Sequence, residues 1–144
     1  MSTEDNKALV RRFVQVWGKG SLDTLDELAA PNFSVYYPLL RETLHGSEAF
    51  KQVLMGFHAG LPDVEVVSEE VITEGDQAVV RWTAHGTHTG ELLGIPPTGK
   101  QVTLTGITIY RLVDGKIVEE RGEEDALGFL QQLGVVPAPG QATR

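Results

Sequence analysis

The apolar residues of this chain change their period once, just beyond residue 60, and that change restricts the fold more than any other feature. From Asp5 to Trp17 the residues Leu9, Val10, Phe13, Val14 and Trp17 recur at spacings of three and four, with Arg11, Arg12 and Gln15 opposite. This predicts an amphipathic helix, ended by Gly18 and Gly20. Ser21 is placed to cap a short second helix carrying Leu22, Leu25 and Leu28, and Pro31 takes the chain out of helix. Phe33 to Tyr37 reads as a strand. Ser47 is placed to cap a third helix with Phe50, Val53, Leu54 and Phe57 on one face, before Gly60 and Pro62 close it. Beyond that point Val64–Thr73, Gln77–His85, Val102–Leu112 and Lys116–Glu123 are rich in Val, Ile and Thr. Turn signals separate them at Glu74-Gly75-Asp76 and at Val113-Asp114-Gly115-Lys116, the second a tight hairpin. Asp125 opens a last helical segment through Leu133, ended by Gly134. Helices first and adjacent strands afterwards predict an α+β fold. Its helices pack on one face of a curved antiparallel sheet that wraps around them as a cone with an internal cavity.

The chain of 144 residues suffices for one domain with a core and a pocket. We assign that domain to residues 1–134 and read 135–144, with Pro137 and Pro139 and no periodicity, as a loose tail. Cysteine is absent, which removes disulfides, thiolate metal sites and cysteine nucleophiles. A formal charge of -8 without a basic stripe argues against a nucleic-acid partner. No apolar run approaches the roughly 18 residues needed to cross a bilayer, and Met1-Ser2-Thr3-Glu4-Asp5 has no signal pattern. The expectation is a cytoplasmic protein with no membrane partner.

Gly94 to Lys100 has the glycine and lysine spacing of a phosphate-binding loop but not its context. Gln101 stands where a Ser or Thr would hold magnesium, Pro96-Pro97 stiffens the loop, and strands flank it on both sides. It reads as a rigid connection or a rim over a pocket mouth. His85 and His88 stand three apart, which on a strand puts them on opposite faces, so no metal site is assigned. His88 reads as a hydrogen-bonding residue near the rim. No Gly-x-Ser-x-Gly elbow is present, and acid-base chemistry remains. The last strand alternates, with Ile117, Glu119, Arg121 and Glu123 on one face and Val118, Glu120 and Gly122 on the other. One of these faces lines the cone. If it is the face of Ile117, Arg121 and Glu123 sit deep or at the lip, and Asp125 follows at the strand-to-helix junction. There Asp125 is either a plain helix cap or a working carboxyl whose pKa an apolar wall would raise and a helix N-terminus would lower. Arg81 reads as an ion-pair partner of Glu119 or as a substrate contact. Trp17, Tyr36, Phe50, Phe57 and Trp82 are core residues that a cavity-forming fold also lets serve as ligand wall.

Three stretches carry a resemblance: Arg81 to Lys100, Asp114-Gly115-Lys116-Ile117-Val118-Glu119, and Glu123-Glu124-Asp125-Ala126-Leu127-Gly128-Phe129-Leu130-Gln131-Gln132-Leu133-Gly134. Together they resemble the SnoaL-like polyketide cyclases and ester cyclases of the nuclear transport factor two-like superfamily. The resemblance implies a homodimer and an intramolecular aldol closure of a small apolar carbonyl substrate, without metal or organic cofactor. It matches Asp125 to the aspartate that serves as general acid and base. Trp17, Tyr36, Phe57, Arg81, His88, Arg121 and Glu123 are then expected to bind substrate. The chain departs from its relatives at Tyr36 and Glu123, where histidines are common, at Arg121, where Trp is common, and at Glu124, where an apolar residue is usual. A second carboxylate beside Asp125 would raise one of the two pKa values. The alternatives are another isomerase, dehydratase or epoxide hydrolase of the same fold, or a non-catalytic dimer that binds an apolar ligand.

Overall fold

A computed structural model describes residues 2–140, so that residues 141–144 of the expected tail lie outside the described residues. The Ser2 hydroxyl accepts from the Asp5 amide, and the Asp5 carboxylate accepts from the Ser2 amide. This reciprocal cap starts α1 (Thr3–Val14), which buries Val10, Phe13 and Val14. A 3-10 turn (Gln15–Trp17), α2 (Asp23–Leu28), β1 (Ala29–Tyr36) and a second 3-10 turn (Pro38–Leu40) follow. Then come β2 (Leu44–His45), α3 (Ser47–Gly60), β3 (Glu65–Glu74), β4 (Gln77–Thr87), β5 (Gln101–Val113), β6 (Lys116–Glu124) and α4 (Ala126–Gln132). Two local expectations change. Gly46, with φ of 86°, takes the cap position of α3 that Ser47 was assigned. β1 begins at Ala29, because Ala29 already pairs with Ile117.

The six strands form one sheet in the order β2-β1-β6-β5-β4-β3. Every neighbouring pair is antiparallel except β1 and β6, which run parallel with Ser34 opposite Glu119 and Tyr36 opposite Arg121. Asp114 and Gly115, with φ of 51° and 76°, make the two-residue turn between β5 and β6. Alternation sorts the strands into two faces. Ala78, Val80, Trp82 and Ala84 of β4 and Val102, Leu104, Tyr110 and Leu112 of β5 are buried against the helices. Val67, Ile72 and Ile107 are exposed on the opposite face. Arg81 also lies on that outer face and pairs with Glu70 at 2.9 Å, while Glu119 meets Arg111 at 4.0 Å. The expected pair of Arg81 with Glu119 does not form, because β5 separates β4 from β6.

Phe13 of α1 meets the rings of Phe33 and Tyr110 edge-on at 5.7 and 6.0 Å, which ties the first helix to both halves of the sheet. Each such fully buried ring contributes roughly 1.5–3 kcal/mol of transfer free energy. Trp17 extends the cluster at 5.5 Å from Tyr37, 5.2 Å from Phe50 and 5.4 Å from Phe57.

One glycine is indispensable to this packing. A Cβ on Gly122 would fall on Cε1 of Tyr37 and stand 2.8 Å from Oγ1 of Thr108. The Tyr37 ring therefore occupies the space that any side chain at 122 would need. Gly122→Ala should destabilise the fold by roughly 1–3 kcal/mol through overpacking, read as a lower urea midpoint at unchanged slope.

Candidate active site

The inner face of the sheet and the helices enclose a cavity of about 380 Å³. It falls within the roughly 300–1,000 Å³ range of small-molecule sites. Its wall is mostly apolar, with Val14, Trp17, Phe57, Trp82, Leu104 and Phe129 prominent. Leu39 and Leu40 of the second 3-10 turn and Leu92 and Leu93 of the β4–β5 connection complete it. That connection is pinned by His88 and Lys100, which exchange a backbone hydrogen bond of 2.9 Å. The reading of Gly94–Lys100 as a connection between two strands thus agrees with its place between β4 and β5.

On β6 the inward face carries Glu120, Gly122 and Glu124, and the face of Arg121 and Glu123 points outward. The bulge between β5 and β6 at Arg111/Leu112 explains the change. It lets Ile117 and Val118 both be buried, so that the burial of Ile117 does not carry Arg121 and Glu123 inward with it. Of the expected site residues, Trp17 and Phe57 line the cavity. Tyr36, Arg81, Arg121 and Glu123 do not; Tyr36 and Arg121 border a second, smaller hollow with Ser34 and Thr43. His85 is exposed, whereas His88 is fully buried. Its Nδ1 accepts from the Thr98 amide at 3.2 Å and lies 3.0 Å from the Thr98 hydroxyl, so it braces the connecting loop without lining the cavity.

Asp125 is exposed and caps α4, its Oδ1 accepting from the Gly128 amide at 3.0 Å. A Cβ at Gly128 would fall on this carboxylate, which accounts physically for the Asp-Ala-Leu-Gly spacing. Two carboxyls do line the cavity, that of exposed Glu91 and that of half-buried Glu124, the neighbour of Asp125. Glu124 Oε1 accepts from the Leu39 amide at 2.7 Å, and Oε2 has no hydrogen bond among the described residues. Burial pushes its pKa from 4.5 up to about 7; the Leu39 amide opposes the shift and the charge of Glu123 adds to it. Such a group exchanges protons near neutrality.

Deeper in the same face stands Glu120, which is fully buried. Its Oε2 accepts from Tyr37 Oη at 2.6 Å and from Trp17 Nε1 at 2.7 Å, while Oε1 has no partner among the described residues. Burial raises its pKa to about 7 against the pull of these two bonds. Burial also pushes the Tyr37 and Tyr110 hydroxyls well above their ordinary value, and the charge of Glu120 adds to this. Sequence reasoning missed Glu120, Glu124 and Tyr37 as site residues. The one available signal was that Glu120, Gly122 and Glu124 share a strand face on which a glycine makes room for a ring.

A family model described as SnoaL-like polyketide cyclase matches residues 7–133. The chain is 34% identical over 133 residues to the aklanonic acid methyl ester cyclase DauD of Streptomyces sp. (strain C5), covering 88% of this chain and 80% of that one. It is 33% identical to the aklanonic acid methyl ester cyclase DnrD of Streptomyces peucetius, covering 93% and 92%. Among solved structures, AclR from Streptomyces galilaeus, described as a proposed hydroxylase, is 27% identical with a TM-score of 0.83, covering 95% and 89%. TsrD from Streptomyces laurentii is 26% identical with a TM-score of 0.83, covering 94% and 99%.

The two raised carboxyls set a direction for stability against pH. Both lie near 4.5 when unfolded and near 7 when folded, so their contribution is complete below pH 4.5 and is lost as the pH rises through 7. Urea unfolding should therefore show wild type losing stability between pH 5 and pH 8. The Glu120→Gln, Glu124→Gln double variant should lose less, by several kcal/mol.

Proposed function

The chain belongs to the SnoaL-like polyketide cyclase family, and on that premise we propose that it closes a ring in an apolar polyketide or keto ester by intramolecular aldol addition, with Glu124 as acid and base. One observation carries this reading. Glu124 is the half-buried carboxyl of a mostly apolar cavity, whose other lining carboxyl, Glu91, is exposed; one Glu124 oxygen is fixed by the Leu39 amide and the other is free among the described residues.

The chemistry asks for two proton movements. A proton leaves a carbon already acidified by flanking carbonyls, and a proton reaches the ketone oxygen that becomes an alkoxide. A carboxyl with a pKa of about 7 has both forms available near neutrality, and a positioned group of this kind supplies roughly 10²–10⁴-fold. Holding the two carbons at contact distance supplies more. Such a step requires neither metal nor organic cofactor. The DauD and DnrD names support an ester-bearing polycyclic polyketide as the substrate class. Asp125, assigned the catalytic role from sequence, takes the part of a cap that holds α4, and with it Phe129, against the cavity.

We further propose a cytoplasmic homodimer joined through the outer face of the sheet, where Val67, Ile72 and Ile107 are exposed. No described helix is long and apolar enough to cross a membrane. Ile107→Glu should then yield a monomer in sedimentation velocity at concentrations where wild type is a dimer.

Turnover of an aromatic polyketide methyl ester with a β-keto ester arm, followed by absorbance, tests the main reading. Glu124→Gln should lose at least about 100-fold in kcat/KM, and Asp125→Asn, which keeps the cap, should retain most of it. Because the carboxylate removes the first proton, wild-type kcat/KM should rise with pH through about 7. Loss in Asp125→Asn with retention in Glu124→Gln would return the role to Asp125.

A further inference from the structure

The hydrogen-bond donors of three aromatic residues in the cavity wall run in one direction, away from the cavity. Trp17, Tyr37 and Trp82 line it, yet each spends its donor elsewhere. Tyr37 Oη donates its single proton to Glu120 Oε2 at 2.6 Å, and Trp17 Nε1 donates to the same oxygen at 2.7 Å. The proton shared by Tyr37 and Thr108, 2.8 Å apart, must then come from Thr108. Thr108 Oγ1 in turn accepts from Trp82 Nε1 at 2.9 Å. Four donors thus terminate, directly or in series, on one oxygen of a side chain that is fully buried and does not border the cavity.

We propose that Glu120 is a specificity-determining positioning residue: by holding these donors behind the wall it leaves an aromatic surface that accepts flat apolar rings and withholds those four donors from a ligand oxygen. A ligand's carbonyl-bearing arm is then left to Glu124, further along the same face of β6. The proposal rests on the cavity as the binding site and not on any reaction within it.

Binding separates the two. The probes are 2-ethylnaphthalene and 2-acetylnaphthalene, which share a ring system, differ by one carbonyl and lack the arm a cyclase would close; calorimetric titration gives the ratio of their dissociation constants. Glu120→Leu removes the acceptor and leaves the Trp17 and Tyr37 donors to the ligand. It should shift the ratio toward the acetyl compound by about 3- to 10-fold, the value of one hydrogen bond. Glu120→Gln keeps a carbonyl for both donors and should keep the wild-type ratio. An unchanged ratio in the Leu variant, or an equal shift in both variants, overturns the proposal.

A second measurement decides the matter if the Leu variant does not fold. Trp17 and Trp82 are the chain's two tryptophans, and both hang on Glu120. Fluorescence of the unliganded protein should change in one step near pH 7. That step should vanish in Glu120→Gln and persist in Glu124→Gln. No step in wild type, or a step that survives in Glu120→Gln, overturns the proposal. Inactivity toward polyketide esters would refute the cyclase reading and leave this one standing.

Discussion

Two carboxyls on the inner face of β6 grip one short segment of chain, and the cavity depends on that grip. Glu120 takes the hydroxyl of Tyr37 and Glu124 takes the amide of Leu39. Between them Gly122 yields its side-chain space to the Tyr37 ring. Tyr37, Leu39 and Leu40 form one wall of the cavity, and the strand that holds them also carries the carboxyl in it. Wall and chemistry are thus set by the same three alternate positions of one strand. A charged group in such a place costs free energy unless it is paired. Neither carboxyl has a cation beside it among the described residues, and burial raises the pKa of both to about 7.

The frame was legible because period and punctuation are local. Leu9, Val10, Phe13 and Val14 announce α1, the Val-rich runs announce β3 to β6, and Asp114-Gly115 announces the last hairpin. The parallel pairing of β1 with β6 was not legible, since nothing in either strand names a partner so far along the chain. The site was read less well for one physical reason. Alternation groups the residues of β6 into two faces without saying which is inner, and a bulge at Arg111/Leu112 lets Ile117 and Val118 of opposite faces both be buried. Arg121 and Glu123 were expected to meet the ligand and point outward, and Glu120 and Glu124 face inward in their place.

Asp125 illustrates how one motif serves two demands. The Asp-Ala-Leu-Gly run is the part of the chain most suggestive of chemistry, yet here its aspartate is exposed and engaged with the first turn of α4. The same turn brings Phe129 to the cavity wall. A motif that fixes a helix beside a pocket marks the pocket's position even where the carboxyl in the wall is its neighbour's.

The order in which the chain is made bears on when this pocket can exist. Tyr37 and Glu120 are 83 residues apart in sequence, and Leu39 and Glu124 are 85 apart. Closing loops of that length is slow, and their entropy is repaid only once the contacts form. α1 to α3 and the β3–β4–β5 meander can assemble from nearby partners, but the roof of the cavity must wait for the last strand. A nascent chain that has not yet released β6 holds Trp17, Tyr37 and Phe33 without their roof and offers a ribosome-bound apolar surface to chaperones. The pocket therefore depends on β6, and truncation before residue 124 removes that wall together with the carboxyl it carries.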